Sequence, residues 1–309
     1  MTNLYRLAYT PEEQEVAEAE AWALIGVEPK GRRLLTADRA VDVTGAAHVA
    51  LGAAELAAGP DLAELAQAVA ALQLAPDRFR IEVAKSPAAR GLPLPDSPVI
   101  ARTLADCLDG YPDLSHPQIE FVCLASPGDW RFGQVLSRSD RGWSRHRAVP
   151  HSYSNALPTR LARAMVNLVA TPGDTIIDPC CGVGTILIEA ESAGIAAVGF
   201  ELNERLARYA RANLRHFGLP ARVAVGDARH IGGRCDAVVT DLPYGWTTPV
   251  DRNLYADILA NAASLAPRLA VVSGDDLTDL LSGLGLHVQR VARHGRPSAR
   301  RFLHVAASV

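Results

Sequence analysis

The residues with the plainest chemical purpose lie in TIIDPCCGVGTILIEA, from Thr175 to Ala190. An apolar run ends in an acid, Asp178; a short glycine-containing loop follows, and then a segment of helical apolar period. Gly182 and Gly184 let the backbone approach a ligand closely, and the first turn of the next helix directs unpaired N–H groups toward it. The pattern is not the dinucleotide fingerprint GxGxxG, because an Asp-Pro pair precedes a shorter CCGVG loop. By itself such a loop also suits a plain strand-to-helix connection. Two further acids change that balance. Glu201 ends the next apolar run, AVGFE, about 20 residues past the loop, where a carboxylate accepts both hydroxyls of a ribose. Asp227 ends the third run, VAVGD, placed to accept from an adenine amine. Each acid alone also suits a helix N-cap; the ordered set at successive strand ends points to one nucleoside-bearing ligand.

The fourth run, VVTDLPYGW (238–246), ends in an Asp-x-Pro-aromatic turn, a device for holding a planar amine. The lone pair of an exocyclic amine on a base is delocalised into the ring, so the amine must be oriented before it attacks. The Asp241 carboxylate and the Leu242 backbone carbonyl accept its two hydrogens, Pro243 fixes the turn, and Tyr244 offers a face for stacking. With a nucleoside cofactor at the first strand and an amine site at the fourth, the chemistry expected is methyl transfer from S-adenosylmethionine by in-line displacement at its sulfonium methyl group. No metal is required. Guanine N2, adenine N6 and cytosine N4 all offer such an amine, and the turn alone does not choose among them.

These residues need a sheet whose strand ends share one edge. From Thr171 onward, short apolar runs alternate with helix-period segments, which predicts a parallel, helix-covered sheet. The runs Leu286–Ala292 and Arg301–Ala307, joined without room for a crossover helix, predict an antiparallel hairpin closing its edge. The first half predicts a smaller α+β module, with strands at Leu4–Tyr9, Phe79–Ala84, Ile119–Ala125 and Phe132–Leu136 and helices at Glu12–Leu24, Leu62–Leu72 and Pro98–Leu108. The polar, turn-prone stretch Arg141–Ala156 then leads to a helix opened by Pro158 and ending near Val169. The expected boundary lies near residue 150, with regions 1–150 and 151–309.

With 309 residues, 49% of them hydrophobic, the chain is long enough for two ordinary cores. No run approaches the roughly 20 apolar residues of a membrane span, and the N-terminus shows no export signal, so a cytoplasmic protein is expected. The five cysteines, at 107, 123, 180, 181 and 235, form no CxxC pair, which argues against a disulfide framework or structural zinc. Vicinal Cys180 and Cys181 fit loop packing better than redox control. Net charge is −3, but arginines cluster twice: five between Arg131 and Arg147 against one acid, Asp140, and five between Arg290 and Arg301 with none. Either cluster suits a solvated surface or an anionic partner.

Taken in order, LPTRLARAMVNL (157–168), DPCCGVGTILIEA (178–190), GFELN (199–203), GDA (226–228) and DLPYG (241–245) resemble the THUMP-type tRNA guanine-N2 methyltransferases. The likeness extends to RHGRPSARRFLHV (293–305) and, upstream, to PVIARTLADCL and RFGQVLSR. It implies a THUMP domain with a ferredoxin-like companion at the N-terminus that grips tRNA, and a Rossmann-like class I methyltransferase domain at the C-terminus. It further implies that Asp178, Cys180, Gly182, Gly184, Thr185, Glu201, Leu202, Asp227 and Ala228 contact S-adenosylmethionine. Asp241, Leu242, Pro243 and Tyr244 would hold guanine, and Arg145, Arg147 and Arg300 would meet RNA. The modified nucleotide in that family is at position six or ten. Two residues depart from the family's usual pattern: Cys180 stands where phenylalanine is common, and Leu242 where many members have proline. The alternatives are a ribosomal-RNA guanine-N2 enzyme and a DNA adenine-N6 enzyme; the arginine clusters and the absence of a separate DNA-recognition region favour tRNA.

Overall fold

The computed structural model describes residues 2–89, 91–243, 252–297 and 300–308. Contacts divide the chain into two compact units, one of residues 1–8, 25–44 and 49–139, the other of residues 9–24, 45–48 and 140–309. The chain therefore divides at 139/140 rather than near 150, and a helix from the N-terminal region, α1 (Gln14–Ile25), lies almost wholly in the second unit.

The first unit is built on a seven-stranded sheet. Its strands are β1 (Asn3–Leu7), β2 (Leu34–Ala37), β3 (Val49–Gly59), β4 (Arg78–Lys85), β5 (Tyr111–Pro112), β6 (Ile119–Ser126) and β7 (Asp129–Arg138), in the order β2-β1-β3-β7-β6-β4-β5. Side chains alternate across it, as a strand's period of two requires. Phe121, Cys123 and Ala125 of β6 pack with Phe79, Phe132 and the helices α2 (Leu62–Ala71) and α3 (Ser97–Ala105), while Val122 and Leu124 face Leu4, Leu51 and Ala53 on the other side. β2 and β3 are strands the sequence pattern did not predict. β3 runs through VALGAAELAAG, whose alanines carry little strand propensity; its pairing with β1 and β7 decides the conformation. Two members of the first arginine cluster are used inside this unit: Arg131 pairs with Glu55 and Asp129, and Arg138 with Glu82 and Glu120.

The second unit carries the other seven-stranded sheet: β8 (Thr175–Asp178), β9 (Ala196–Glu201), β10 (Val223–Val225), β11 (Ala237–Asp241), β12 (Arg268–Ser273), β13 (Leu286–His294) and β14 (Arg301–Ser308). The order is β10-β9-β8-β11-β12-β14-β13, with the first five strands parallel and β14 antiparallel between β12 and β13. The predicted hairpin is thus present, and its second strand lies inside the sheet. The short α4 (Gly142–Arg145) precedes α5 (Thr159–Val169), α6 (Thr185–Ser192) and α7 (Glu204–His216), which cover one face with Ile176, Val239 and Val272. α8 (Arg252–Leu265) and α9 (Thr278–Gly283) cover the other with Ile177, Val238 and Val271. Eight of the eleven residues of α5 are buried, as a helix held between layers requires. α7 starts at Asn203, whose side chain accepts from the N–H groups of Arg205 and Leu206, and buries Ala207, Ala210, Asn213 and Leu214 while its arginines face outward.

Residues 9–24 and 45–48 join this unit through both apolar and polar contacts. Val16, Ala19 and Ala47 belong to the core cluster of α5 and α6. The fully buried Glu20 carboxylate accepts from Ala47 N (2.7 Å), His48 N (2.6 Å) and Asn167 Nδ2 on α5 (2.7 Å). A carboxylate so supplied with donors ties three chain segments together. No helix among the described residues is long and apolar enough to cross a membrane.

Candidate active site

Strand order reverses between β8 and β11, so the crossovers on either side leave in opposite directions and open a crevice at the carboxyl ends of those strands. Asp178 ends β8, Glu201 ends β9 and Asp241 ends β11; all three line one cleft of about 380 Å³. Cys180, Gly182, Thr185, Leu202, Asp227, Ala228, Leu242 and Pro243 also line it. Of the sequence-derived cleft residues, Gly184 lies in the loop behind the wall, and Tyr244 lies outside the described residues.

Asp178 is 1% exposed and accepts from Cys180 N (3.1 Å) and from the Thr240 hydroxyl (3.0 Å). Burial pushes its carboxyl up to about 8; those two donors work against the rise, and the nearby Asp241 and Glu201 add to it. The Glu201 carboxylate accepts from Gly182 N (2.9 Å) through one oxygen and from Asn203 N (2.8 Å) through the other. Glu201 therefore braces the glycine loop, and each of its oxygens keeps a lone pair for a ribose hydroxyl. In the loop itself Gly182 has φ +53° and Gly184 φ +89°, the left-handed region that favours glycine. A Cβ on Gly182 would meet no protein atom within 4 Å, whereas one on Gly184 would sit 3.2 Å from Ala210 Cβ. The first glycine keeps the cleft open and the second allows α6 and α7 to close together.

Asp227 is placed differently from a simple adenine acceptor. Its carboxylate holds the Arg229 guanidinium (2.6 Å to Nη2) and the Arg229 backbone N–H (3.0 Å), and that pairing keeps its carboxyl down at about 2. An adenine amine would share this carboxylate with Arg229. Leu202, 70% exposed, supplies an apolar wall beside it. Burial raises the thiols of Cys180 and Cys181, with Asp178 and Glu201 adding to the rise, so both are neutral packing groups.

At the end of β11, Leu242 is 1% exposed, and its N–H donates to Val272 O (2.9 Å), which anchors the turn to β12. Pro243 is exposed at the cleft. Of the arginines assigned to RNA, Arg145 is exposed with a long contact to Asp140 (3.9 Å), Arg147 is exposed over the Trp143 ring, and Arg300 is exposed. Within the second cluster Arg293 pairs with Glu15, and Arg290 lies over Trp22.

Sequence reasoning missed the strap before α5. Tyr153, Asn155, Ala156 and Leu157 line the cleft, in a stretch whose polarity suggested only a linker. What holds the strap is Asn213 on α7, wholly buried: it accepts from His151 N (3.0 Å) and donates to His151 O and Val183 O (both 2.9 Å). The available signal was an asparagine on the apolar face of α7, in period with Ala207 and Ala210. Among the described residues no cluster of histidine, cysteine and carboxylate side chains could hold a metal ion.

Residues 146–290 match the family model described as UPF0020, RMKL-like, methyltransferase domain. The C-terminal half is thus similar to a methyltransferase domain. Such a domain takes S-adenosylmethionine, and the cleft suits that cofactor: the carboxylates of Glu201, Asp227 and Asp241 line it and complement positive charge, and the open Gly182 leaves room for it. The chain is also similar to curated relatives. A tRNA (guanine(10)-N2)-dimethyltransferase of Methanothermobacter thermautotrophicus is 37% identical over 138 residues, covering 42% of this chain and 41% of the relative. One of Pyrococcus abyssi is 39% identical over 169 residues, covering 50% of this chain and 51% of the relative. The matched stretch thus spans about half the length of these relatives. Among solved structures, TrmN from Thermus thermophilus aligns over 100% of both chains with a TM-score of 0.53 and 19% identity, a likeness of fold.

Proposed function

We propose that this chain methylates the exocyclic N2 amine of a guanosine in tRNA, using S-adenosylmethionine, in the cytoplasm. The observation that carries the reading is the pairing, across the strand-order reversal, of a glycine-loop cofactor cradle at β8 with an Asp-Leu-Pro turn at β11, both opening on one cleft. The cofactor supplies an electrophilic methyl group on a sulfonium. Asp178, Glu201 and the loop between them orient it, and Leu202 and Ala228 border its adenine side. Asp241 and the Leu242 carbonyl accept the two N–H groups of the guanine amine, which turns the nitrogen lone pair toward the cleft. As the N–C bond formed and the S–CH3 bond broke, with S-adenosylhomocysteine leaving, the nitrogen would gain positive charge that the Asp241 carboxylate would stabilise, and its surplus proton would pass to water.

Guanine and tRNA are favoured by the names of the curated relatives, which specify guanine N2 at position ten. The RNA is met by Arg145, Arg147 and Arg300 of the methyltransferase unit, while residues 1–139 supply a THUMP-like grip on the tRNA. The test is Asp241→Ala in the full chain: transfer of labelled methyl groups to unmodified tRNA is lost, while S-adenosylhomocysteine binding measured by calorimetry stays within a few fold. Retained transfer contradicts the assignment.

A further inference from the structure

The turn assigned to the amine follows β11 directly. Leu242 is anchored through its N–H to Val272, but Pro243, next in line, has no N–H and can be held only through its carbonyl. A distant side chain supplies that hold. Tyr255, in the first turn of α8, donates its hydroxyl to Pro243 O at 2.8 Å. Its ring is 5% exposed and belongs to the core cluster that contains Leu242, Ile258 and Leu259. The ring therefore cannot swing away, and the hydroxyl is delivered at a fixed point.

Burial pushes the Tyr255 hydroxyl up to about 12, with Asp275 and Asp241 adding to the rise, so it keeps its proton and remains a donor at any working pH. A phenylalanine would fill the same core volume, so packing alone does not call for the oxygen. A small shift of this turn would move both amine acceptors together, and misplacement by about 1 Å costs on the order of a hundredfold in rate.

We propose that Tyr255 is a positioning residue for methyl transfer: through Pro243 it fixes the Asp241–Pro243 turn in the geometry that presents the Asp241 carboxylate and the Leu242 carbonyl to the acceptor amine. This rests on the reading of the turn given above. It adds Tyr255 of α8 to the residues that shape the site.

The test compares wild type, Tyr255→Phe and Asp241→Ala as full chains, with labelled S-adenosylmethionine and unmodified tRNA. The expected result for Tyr255→Phe is a kcat lowered about tenfold or more, with KM for tRNA and the Kd for S-adenosylhomocysteine within about twofold. A wild-type kcat overturns the role. A fall in kcat that comes with equally weakened cofactor binding and a lowered Tm also overturns it, since that is the signature of a purely structural hydrogen bond. Asp241→Ala separates the two levels: if that variant still transfers methyl groups, the reading of the turn fails; if it is inactive while Tyr255→Phe behaves as wild type, only the role of Tyr255 fails.

Discussion

Replacing Asp178 by asparagine gives the sharpest view of how the cleft is charged. The asparagine carbonyl oxygen can still accept from Cys180 N and Thr240, so the two donors on the carboxylate keep a partner. What is lost is a carboxyl whose folded value is pushed from 3.8 to about 8 by burial, with the nearby Asp241 and Glu201 adding to the push. Between those values the folded chain holds a proton that the unfolded chain has released, so wild-type stability falls as pH rises through that window. One proton of difference amounts to about 1.4 kcal/mol per pH unit, or about 3 kcal/mol between pH 5 and pH 7. Asp178→Asn removes this dependence. Urea unfolding of the cofactor-free chain, run for both proteins across that range, should show the variant gaining about 3 kcal/mol on wild type between the two ends. Titrating groups far from Asp178 cancel in the difference. Above about pH 8, where Asp178 is ionised, the same variant should bind S-adenosylmethionine more weakly, because the cleft has lost a negative charge. Parallel stability curves for the two proteins would refute the reasoning, since Asp178 would then carry no extra proton.

Glu201→Ala should cost about 2 kcal/mol of cofactor binding, roughly thirtyfold in Kd by calorimetry, because it orphans Gly182 N and Asn203 N and removes the ribose acceptor; an unchanged Kd rejects the contact. Asn213→Leu removes two hydrogen bonds to His151 beside the strap and one to Val183 in the glycine loop, and should raise the Kd for S-adenosylhomocysteine about tenfold and lower Tm. Full cofactor affinity in that variant would show that the strap takes no part in the site. Arg145→Ala with Arg147→Ala should lower tRNA affinity and reduce the slope of log affinity against log salt by about 1.5, as read by filter binding over a salt series. A parallel salt series would remove these two side chains from the RNA surface.

How far the sequence reached depended on how local each signal was. β8 to β12 were legible because their apolar runs and the segments between them carry opposite periods, and Asp178, Glu201 and Asp241 follow because they sit where those runs stop. The alanine-rich β3 was not legible: VALGAAELAAG has no strong preference of its own and becomes a strand through its partners β1 and β7. The placement of α1 and residues 45–48 in the second unit depends on Glu20 meeting Asn167 across most of the N-terminal half, a contact without a local trace. The arginine clusters were legible as composition only. Which members face solvent depends on cross-strand acids such as Glu82 and Glu120, so Arg138 is a partly buried, paired cation and Arg145 an exposed one. Asn213 and Tyr255 act through single hydrogen bonds to residues far along the chain, and no spacing in the sequence announces such pairs.

The central claim is that the cleft methylates the N2 amine of a guanosine in tRNA. The direct measurement is incubation of the full chain with labelled S-adenosylmethionine and unmodified total tRNA, followed by digestion and separation of nucleosides. The account predicts that the label appears in N2-methylguanosine or its dimethyl form and vanishes with Asp241→Ala. Label in a methylated adenosine or cytidine, or none in tRNA from a chain that binds the cofactor, would contradict it.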